Sequence, residues 1–257
     1  MWLRDPQEIP WADTSDPGES FRDAHYYASI VDSQAALFER FERLMERGSW
    51  TLGEAATIIG GYDYPDLDVD ETLLSLDRLA ASVANPTLDG LVATLFGDGG
   101  FTGNTEDYYA ADNSYLHRVL DRRLGIPITL AVLAIEVGRR CGVPLDGVGF
   151  PGHFLLRDKV DPTVYLDPFN GGRQLTEVEC VVWFHQQHPA GAAWQRDYLA
   201  PVDDVAILTR MLSNLLVVFQ QRKDLAATRW IMKLRCTLPN ATASDEATFR
   251  RLMAPLN

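Results

Sequence analysis

Residues 113–157 read NSYLHRVLDRRLGIPITLAVLAIEVGRRCGVPLDGVGFPGHFLLR, and residues 164–173 read VYLDPFNGGR. Nearly every residue from 128 to 137 is apolar, and such a segment predicts a helix that is buried on all sides. Two short apolar segments follow, which predict one strand that begins at His153 and another that ends at Asp167. The remaining chain is mostly helical by its apolar periodicity. The sequence therefore predicts an α+β fold in which a buried helix packs on a small antiparallel sheet.

The chain around this core divides into four parts. Residues 1–20 are rich in Pro, Asp, Ser and Gly, and we expect them to form a flexible N-terminal arm. Residues 21–96 carry apolar residues at helical spacing and predict an N-terminal helical region, and residues 97–200 hold the core. Residues 201–257 predict a helix pair of about 34 residues, similar to one tetratricopeptide unit, followed by a tail.

Charge and cysteine content restrict the classes of function. The formal net charge of -13 disfavours nucleic acid and anionic membrane as direct partners, because both are bound through basic surfaces. No uninterrupted apolar run approaches the ~20 residues that a membrane-spanning helix needs. The 3 cysteines have no paired spacing, so we expect reduced thiols and a cytoplasmic protein.

Two segments superficially resemble metal sites, and neither has the required spacing. The alternating acidic residues of segment 66–77 resemble a calcium-binding loop, but Glu71 occupies the sixth position, where that loop needs glycine. Acidic residues at the N-terminus of a helix, where the dipole favours them, are the simpler interpretation. Cys180, His185 and His188 match no usual zinc spacing. The sequence therefore predicts no metal and no other cofactor.

His153 and Asp167 are the candidate catalytic residues. A carboxylate beside an imidazole fixes the tautomer of the ring and raises its basicity, which is the orienting half of a catalytic triad. The alternative is a histidine that is simply hydrogen-bonded at a strand edge. Local features of the sequence favour the two interpretations equally.

The nucleophile that such a pair would activate is missing from the sequence. A thiol is expected at the N-terminus of the buried helix, where the helix dipole and a neighbouring histidine lower its pKa. Residues 125–129 contain no cysteine, and Cys141 lies at the far end of the helix, ~20 Å away. Thr129 is the only hydroxyl in that first turn. It is a chemically poorer candidate nucleophile, because a threonine at a helix start more often bonds its own backbone.

Six further residues of the predicted core are candidate binding residues. Arg173, beside the Asn-Gly-Gly turn, and the Arg122–Arg123 pair are candidates to hold an anion near His153. The alternative is that they pair with surface carboxylates of this acidic protein. The full set is Asn113, Arg123, Pro127, Gly152, Asn170 and Arg173.

These stretches resemble the SirB family of bacterial proteins in the transglutaminase-like superfamily. The resemblance rests on the two stretches quoted above and on two further phrases, WTLGEAATIIGGYDYPDLDVDETLLSLDRLA at 50–80 and FGDGGFTGNTEDYYAADNSYL at 96–116. It covers roughly residues 50 to 240 and includes the predicted helix pair. It implies a papain-like, transglutaminase-like core with a tetratricopeptide-like C-terminal region.

The resemblance also implies roles for particular residues. The superfamily uses Cys, His and Asp for acyl transfer or proteolysis. His153 falls on the histidine of the family's PGHF phrase, and Asp167 falls on the aspartate of its LDPF phrase. The superfamily's cysteine falls near Ile126 or Pro127, where this family generally has GIP, as this chain does.

Three functions remain as hypotheses. The first is a non-catalytic regulatory protein that lost its nucleophile and keeps a cleft for a protein or peptide partner. The second is a hydrolase or acyl-transfer enzyme with altered chemistry, in which the His153–Asp167 pair acts with water or Thr129. The third is a scaffold whose helix-pair surface binds a partner.

Overall fold

The computed structural model describes residues 17–189 and 191–254, with side chains described from residue 28 onward. The first helix begins at Pro17, so the last four residues of the expected arm are helical, and the rest of that arm lies outside the described residues. The helices of the described chain are α1 Pro17–Arg47, α2 Leu52–Ile58, α3 Val69–Ala81, α4 Leu88–Phe96, α5 Leu116–Arg122, α6 Pro127–Cys141, α7 Glu177–Gln187, α8 Asp204–Gln221, α9 Leu225–Thr237 and α10 Ala243–Met253.

The strands form one antiparallel sheet and one small parallel pair. They are β1 Thr102–Gly103, β2 Leu124–Gly125, β3 Leu145–Val148, β4 Leu155–Asp158, β5 Tyr165–Asp167, β6 Arg173–Leu175 and β7 Pro201–Val202. The sheet has the order β6-β5-β4-β3-β7, and every neighbouring pair in it is antiparallel. The expected α+β fold, mostly helical with a small antiparallel sheet, is confirmed.

Helix α6 is the buried centre of the fold. All residues from 127 to 138 are buried, as the apolar run predicts. Pro127 occupies the first turn, where its missing N–H removes no helical hydrogen bond, and Gly142 ends the helix with a φ of 83°. The helix packs against α2 and α3 and against β3 and β4 of the sheet. It therefore lies between the helical region and the sheet.

The parallel pair β1–β2 determines what lies at the start of α6. Gly103 pairs with Gly125, which is two residues before Pro127. The backbone N–H of Asn104 donates to the Gly125 carbonyl at 3.0 Å. Residues 102–104 are thereby fixed beside the N-terminus of the buried helix.

His153 lies in a turn before its strand, which corrects the expectation that the strand begins there. The His153 N–H donates to the Phe150 carbonyl at 3.0 Å, with Pro151 and Gly152 at the centre of the turn. Gly152 has a φ of 71°, as the third residue of a type II turn requires. The strand itself begins at Leu155. The turn that Pro151 and Gly152 indicate therefore includes His153. The apolar residues that follow His153 made it look like the first residue of the strand.

The C-terminal helices share the hydrophobic core with the rest of the chain. Helices α8 and α9 pack on each other, and α10 packs on α9. The indole of Trp230, on α9, donates to the Ile59 carbonyl at 3.2 Å, and its ring meets Phe38 edge to face. A single cluster of buried apolar residues includes members from 21–96, 97–200 and 201–257. The two predicted helices are present, and they are integrated into one core.

A buried carboxylate ties α6 to its surroundings. Glu136 is 0% exposed, and it accepts hydrogen bonds from Arg139 at 2.7 Å and Arg140 at 2.6 Å. Its side chain lies against Gly53 of α2, where an added Cβ would be 2.8 Å from a carboxylate oxygen. A buried charge of this kind needs its partners, because an unpaired one is strongly destabilising.

We expect Glu136→Gln to lower the free energy of unfolding by about 2–4 kcal/mol, because two arginines lose their buried carboxylate. The matched control is Asp204→Asn, which removes the other carboxylate partner of Arg139, at 3.3 Å. The side chain of that partner is 37% exposed, so we expect a loss below about 1 kcal/mol. Urea unfolding at neutral pH measures both changes. Equal losses in the two variants would contradict this assignment.

Candidate functional site

His153 and Asp167 form a hydrogen-bonded pair. Nε2 of His153 lies 2.8 Å from Oδ1 of Asp167. The turn of residues 150–153 supplies the histidine, and the C-terminal end of β5 supplies the aspartate. The two residues are on neighbouring segments because β4 and β5 are paired, with Leu156 opposite Leu166.

The Asp167 carboxylate organises the turn that follows it. Besides His153, Oδ1 accepts the backbone N–H groups of Phe169 at 3.0 Å and Asn170 at 3.3 Å, and Oδ2 accepts Asn170 Nδ2 at 2.6 Å. Burial raises the pKa of this carboxyl, but the hydrogen bonds from His153 and Asn170 outweigh burial and hold the pKa below its ordinary value. Asp167 is therefore an ionised acceptor aimed at the imidazole.

The His153 ring stands between aromatic side chains with one nitrogen unused. Its side chain is 12% exposed. The Trp183 ring lies 4.7 Å from it and the Phe169 ring 5.9 Å, both edge to face, while Tyr108 meets Phe169 at 5.9 Å. We call Tyr108, Phe169 and Trp183 the aromatic frame. When Nε2 donates to Asp167, Nδ1 is the basic nitrogen, and it has no hydrogen-bond partner within the described chain.

The N-terminus of α6 adjoins this pair. The turn 168–170 packs on α6, and the Phe169 ring lies against Gly103, where an added Cβ would be 2.5 Å from the ring. Ile126 is the residue before the helix and Pro127 its first, and both are buried. The position where a nucleophile would be expected therefore carries apolar side chains.

Thr129 does not make the backbone hydrogen bond that we expected of a threonine at a helix start. Its side chain is 0% exposed, and its Oγ1 has no hydrogen-bond partner among the described residues. His153, with its described hydrogen bond directed to Asp167, makes none to this hydroxyl. Thr129 therefore hydrogen-bonds neither its own backbone nor His153, and its role as a nucleophile stays a prediction.

The three cysteines are unpaired, and the thiol pKa values of Cys180 and Cys236 are raised. Cys141 lies at the end of α6, opposite to the helix start. Cys180 is 0% exposed, and burial together with neighbouring carboxylates, including Asp167, raises its pKa to about 12. Burial also raises the pKa of Cys236, on α9. Reactive thiols require the opposite shift.

Asn113, a candidate binding residue, is a buried connector. Its side chain is 0% exposed, and Nδ2 donates to the carbonyls of Asp107 at 2.6 Å and Tyr108 at 3.2 Å. Oδ1 accepts from Asn104 at 3.0 Å and from Arg122 at 3.1 Å. These contacts hold the loop that carries Tyr108 in the aromatic frame. A direct role in ligand binding stays a prediction.

The other candidate binding residues differ in position. Gly152 is exposed, and an added Cβ would meet nothing within 4 Å, so open space borders the histidine turn. Asn170 is exposed and bonds Asp167. Arg173 is exposed and lies 3.5 Å from Glu179, while Arg123, with a φ of 58°, donates to the Gly99 carbonyl. Of these residues, the structure brings Gly152 and Asn170 next to the pair.

Two residues at the site were not identified from the sequence. Arg210, on α8, donates from Nη2 to the His153 carbonyl at 2.6 Å and to the Phe150 carbonyl at 3.2 Å. Trp183, on α7, lies against the His153 ring. Both come from helices remote in sequence from the turn, and no local pattern reports such contacts. The only sign of this contact in the sequence was the position of an arginine among the apolar residues of α8.

The described residues contain no group of three His, Cys, Asp or Glu side chains placed to hold a metal ion. No helix of the described chain has the length and apolarity to cross a membrane. Cavities of about 460 and 500 Å³ open elsewhere, and neither is lined by His153 or Asp167. His117 lines the larger one, and burial, followed by the charge of Arg118, lowers its pKa to about 4.

We expect Asp167→Asn to lower the free energy of unfolding at neutral pH by about 1–3 kcal/mol, because buried donors lose a charged acceptor. A depressed carboxyl pKa contributes stability above the unfolded value, here 3.8, which is lost as pH falls through the folded value. The difference between wild type and Asp167→Asn should therefore shrink as the pH is lowered below about 4. Denaturant unfolding over a pH series measures it.

The control for this prediction is Asp161→Asn. Asp161 is exposed and likewise accepts a backbone N–H, that of Thr163 at 3.1 Å. We expect little change in stability in that variant. A wild-type advantage over Asp167→Asn that stayed constant down to strongly acidic pH would show that the charge of Asp167 is not the stabilising feature.

Comparisons with known proteins cover most of this region. Residues 68–213 match the family model of the transglutaminase-like superfamily. That range is more than half of the chain, and it runs from the residue before α3 into α8. No solved structure matches the chain significantly.

Three relatives illustrate the similarity. A protein of Xylella fastidiosa (strain Temecula1), named UPF0162 protein, is 41% identical over 199 residues, which are 72% of this chain and 69% of the relative. A UPF0162 protein of Vibrio cholerae is 33% identical over 140 residues, 54% of this chain and 50% of its own. F-box only protein 21 of Mus musculus is 41% identical over 139 residues, 50% of this chain and 21% of its own. The chain therefore belongs to the transglutaminase-like superfamily and to the UPF0162 family.

Proposed function

We propose that this chain is a non-catalytic transglutaminase-like protein that binds a protein or peptide partner at the His153–Asp167 site. The observation that carries the proposal is an intact pair, 2.8 Å between Nε2 and Oδ1, beside a helix start without a nucleophile. A partner would use the orienting half of a catalytic triad as a hydrogen-bonding site.

The chemistry of acyl transfer supports a non-catalytic role. The reaction needs a thiolate or an activated hydroxyl within hydrogen-bond reach of the histidine. Ile126 and Pro127 occupy the expected position and offer neither group. Cys180, with a pKa of about 12, is a protonated, buried thiol at neutral pH. Thr129 is fully buried and unbonded to His153.

The surroundings of the pair support binding of a peptide. The aromatic frame supplies apolar faces, and Tyr108 is 39% exposed. His153 Nδ1 is free to accept an N–H or O–H of a ligand. The match within F-box only protein 21 covers only 21% of that protein, so this region also occurs as one part of a larger chain. A module that provides binding fits such an arrangement.

A hydrolase with altered chemistry is the second candidate. The free Nδ1 of His153 favours it, because a neutral imidazole oriented by a carboxylate is suited to take a proton from water. No covalent intermediate would form on such a path. This candidate would require water to reach a ring that is 12% exposed.

Three finer assignments belong to the proposal. We assign the chain to the SirB family on the phrases that carry the resemblance, and the C-terminal helices to a tetratricopeptide-like unit. We place the protein in the cytoplasm, because its three cysteines are free and reducing compartments keep thiols in that state.

Turnover by wild type and His153→Gln tests the proposal. The substrates are p-nitrophenyl acetate, for hydrolysis, and a glutamine-containing peptide with a fluorescent primary amine, for acyl transfer. We expect equal rates in both proteins, because the imidazole has no nucleophile to activate. A wild-type rate at least about tenfold above that of His153→Gln, corresponding to a barrier difference near 1.4 kcal/mol, would establish catalysis instead.

Restoring the cysteine provides the matched positive control. Ile126→Cys and Pro127→Cys place a thiol at the helix start, where the dipole and His153 lower its pKa. We expect at least one of the two to react with iodoacetamide below pH ~7, and a second change, His153→Gln, to slow that reaction about tenfold or more. Reactivity that is independent of His153 would show that the pair does not face this position.

A further inference from the structure

Arg210 is an arginine at the site that is satisfied only by neutral groups. Its Nη2 donates to the His153 carbonyl at 2.6 Å and to the Phe150 carbonyl at 3.2 Å. Its guanidinium carbon lies 5.4 Å from the centre of the Phe154 ring. The side chain is partly buried, and burial lowers its pKa. A cation held in this way keeps its charge uncompensated.

Arg210 has no acidic partner among the described residues, although the protein is acidic. The chain has 36 Asp and Glu against 23 Lys and Arg, yet no carboxylate of the described residues pairs with Arg210. Arg140 and Arg157, which are also partly buried, each have a carboxylate within 2.8 Å. Guanidinium groups form a planar fork of five donors that matches a carboxylate, and Arg210 uses one nitrogen of that fork.

Arg210 lies next to the histidine turn and near the aromatic frame. Gly149 is beside its Nη1, since a Cβ added there would be 3.6 Å from that nitrogen. Tyr108 of the aromatic frame is close enough that its hydroxyl and the guanidinium affect each other's pKa. Gly152, with open space around it, completes the border at the histidine turn. Arg210 therefore reaches the same edge of the fold as His153 and Tyr108.

We propose that Arg210 binds the carboxylate of a peptide ligand whose apolar side chain lies on the aromatic frame beside His153. The unused nitrogens of the guanidinium supply the donors. The inference rests on the proposed function, since it names the chemical class of ligand for that same site. The carboxylate is that of a chain end or of an acidic side chain.

A carboxylate fits better than a phosphate group. The formal net charge of -13 repels anions over the whole surface, and the repulsion grows with the charge of the ligand. A single negative charge on an otherwise apolar peptide meets the least repulsion while it still compensates Arg210. The nearby rings of Phe169 and Trp183 add apolar contact that inorganic phosphate cannot use.

Three small probes test this inference on the full chain. N-acetylphenylalanine carries a terminal carboxylate, N-acetylphenylalaninamide lacks it, and N-acetylaspartyl-phenylalaninamide carries a side-chain carboxylate. Binding is followed by NMR through the ring C–H signals of His153, assigned with His153→Gln. We expect wild type to bind at least one of the two carboxylate probes about tenfold or more tighter than the amide, as a charge-assisted hydrogen bond predicts.

Two arginine variants assign the preference to Arg210. Arg210→Gln should reduce the ratio of carboxylate to amide affinity to near one. Arg229→Gln is the matched control, because Arg229 is also partly buried, donates to a backbone carbonyl, that of Leu252 at 3.0 Å, and pairs with no carboxylate of the described residues. It should keep the wild-type ratio. If Arg210→Gln fails to fold, the ratio of carboxylate to amide affinity is measured instead with Arg210→Lys, which keeps the charge, and is compared with the wild-type ratio.

Several outcomes would overturn the inference. One is that wild type binds the carboxylate probes and the amide equally, and another is that it binds no probe. A third is that Arg210→Gln leaves the ratio of carboxylate to amide affinity unchanged, and a fourth is that Arg229→Gln lowers this ratio as much as Arg210→Gln does. Which carboxylate probe binds tighter distinguishes a chain end from an acidic side chain. The turnover measurement decides the proposed non-catalytic role separately, so failure of the one is not failure of the other.

Discussion

The buried carboxylate of Asp167 is the constraint on which the site depends. It is 3% exposed and accepts hydrogen bonds from the His153 ring, two backbone N–H groups and the Asn170 side chain. A buried charge has to be satisfied in this way, because its desolvation is costly. The two carboxylate oxygens hold the turn that carries Phe169, and the Phe169 ring is one of the aromatic rings beside the imidazole. The geometry of the pair therefore follows from the need to satisfy this buried carboxylate.

At the other half of the site, the start of α6, the first two side chains stabilise the fold and carry no reactive group. The start of α6 is occupied by Ile126 and Pro127, which suit a buried helix and supply no nucleophile. Arg210 reaches the histidine turn from α8, so the C-terminal helices contribute to the site directly. Of the Cys, His and Asp that the resemblance implies, this chain keeps His153 and Asp167, with the partly buried Arg210 nearby. The binding that we propose would use each of these groups as a donor or an acceptor.

Sequence patterns predicted the parts of the fold that depend on local signals. The apolar run predicted the buried helix α6, and apolar periodicity predicted the helix pair α8 and α9. The His153–Asp167 pairing followed from the order of the elements. Contacts between residues far apart in sequence could not be predicted. Arg210 donates to the His153 carbonyl, 57 residues away, and no pattern in the sequence around Arg210 indicates that contact. The strand β6 was missed because the Asn-Gly-Gly turn masks a segment of three residues.

The tautomer of His153 shows whether Asp167 orients the imidazole. Nitrogen-15 NMR of the imidazole, assigned with His153→Gln and recorded through a pH titration, reports which nitrogen carries the proton in the neutral ring. We expect the proton on Nε2, hydrogen-bonded to Asp167, and an unprotonated Nδ1 that is available to a ligand. A neutral ring protonated at Nδ1, or a mixture of tautomers that Asp167→Asn leaves unchanged, would contradict an imidazole oriented by this carboxylate.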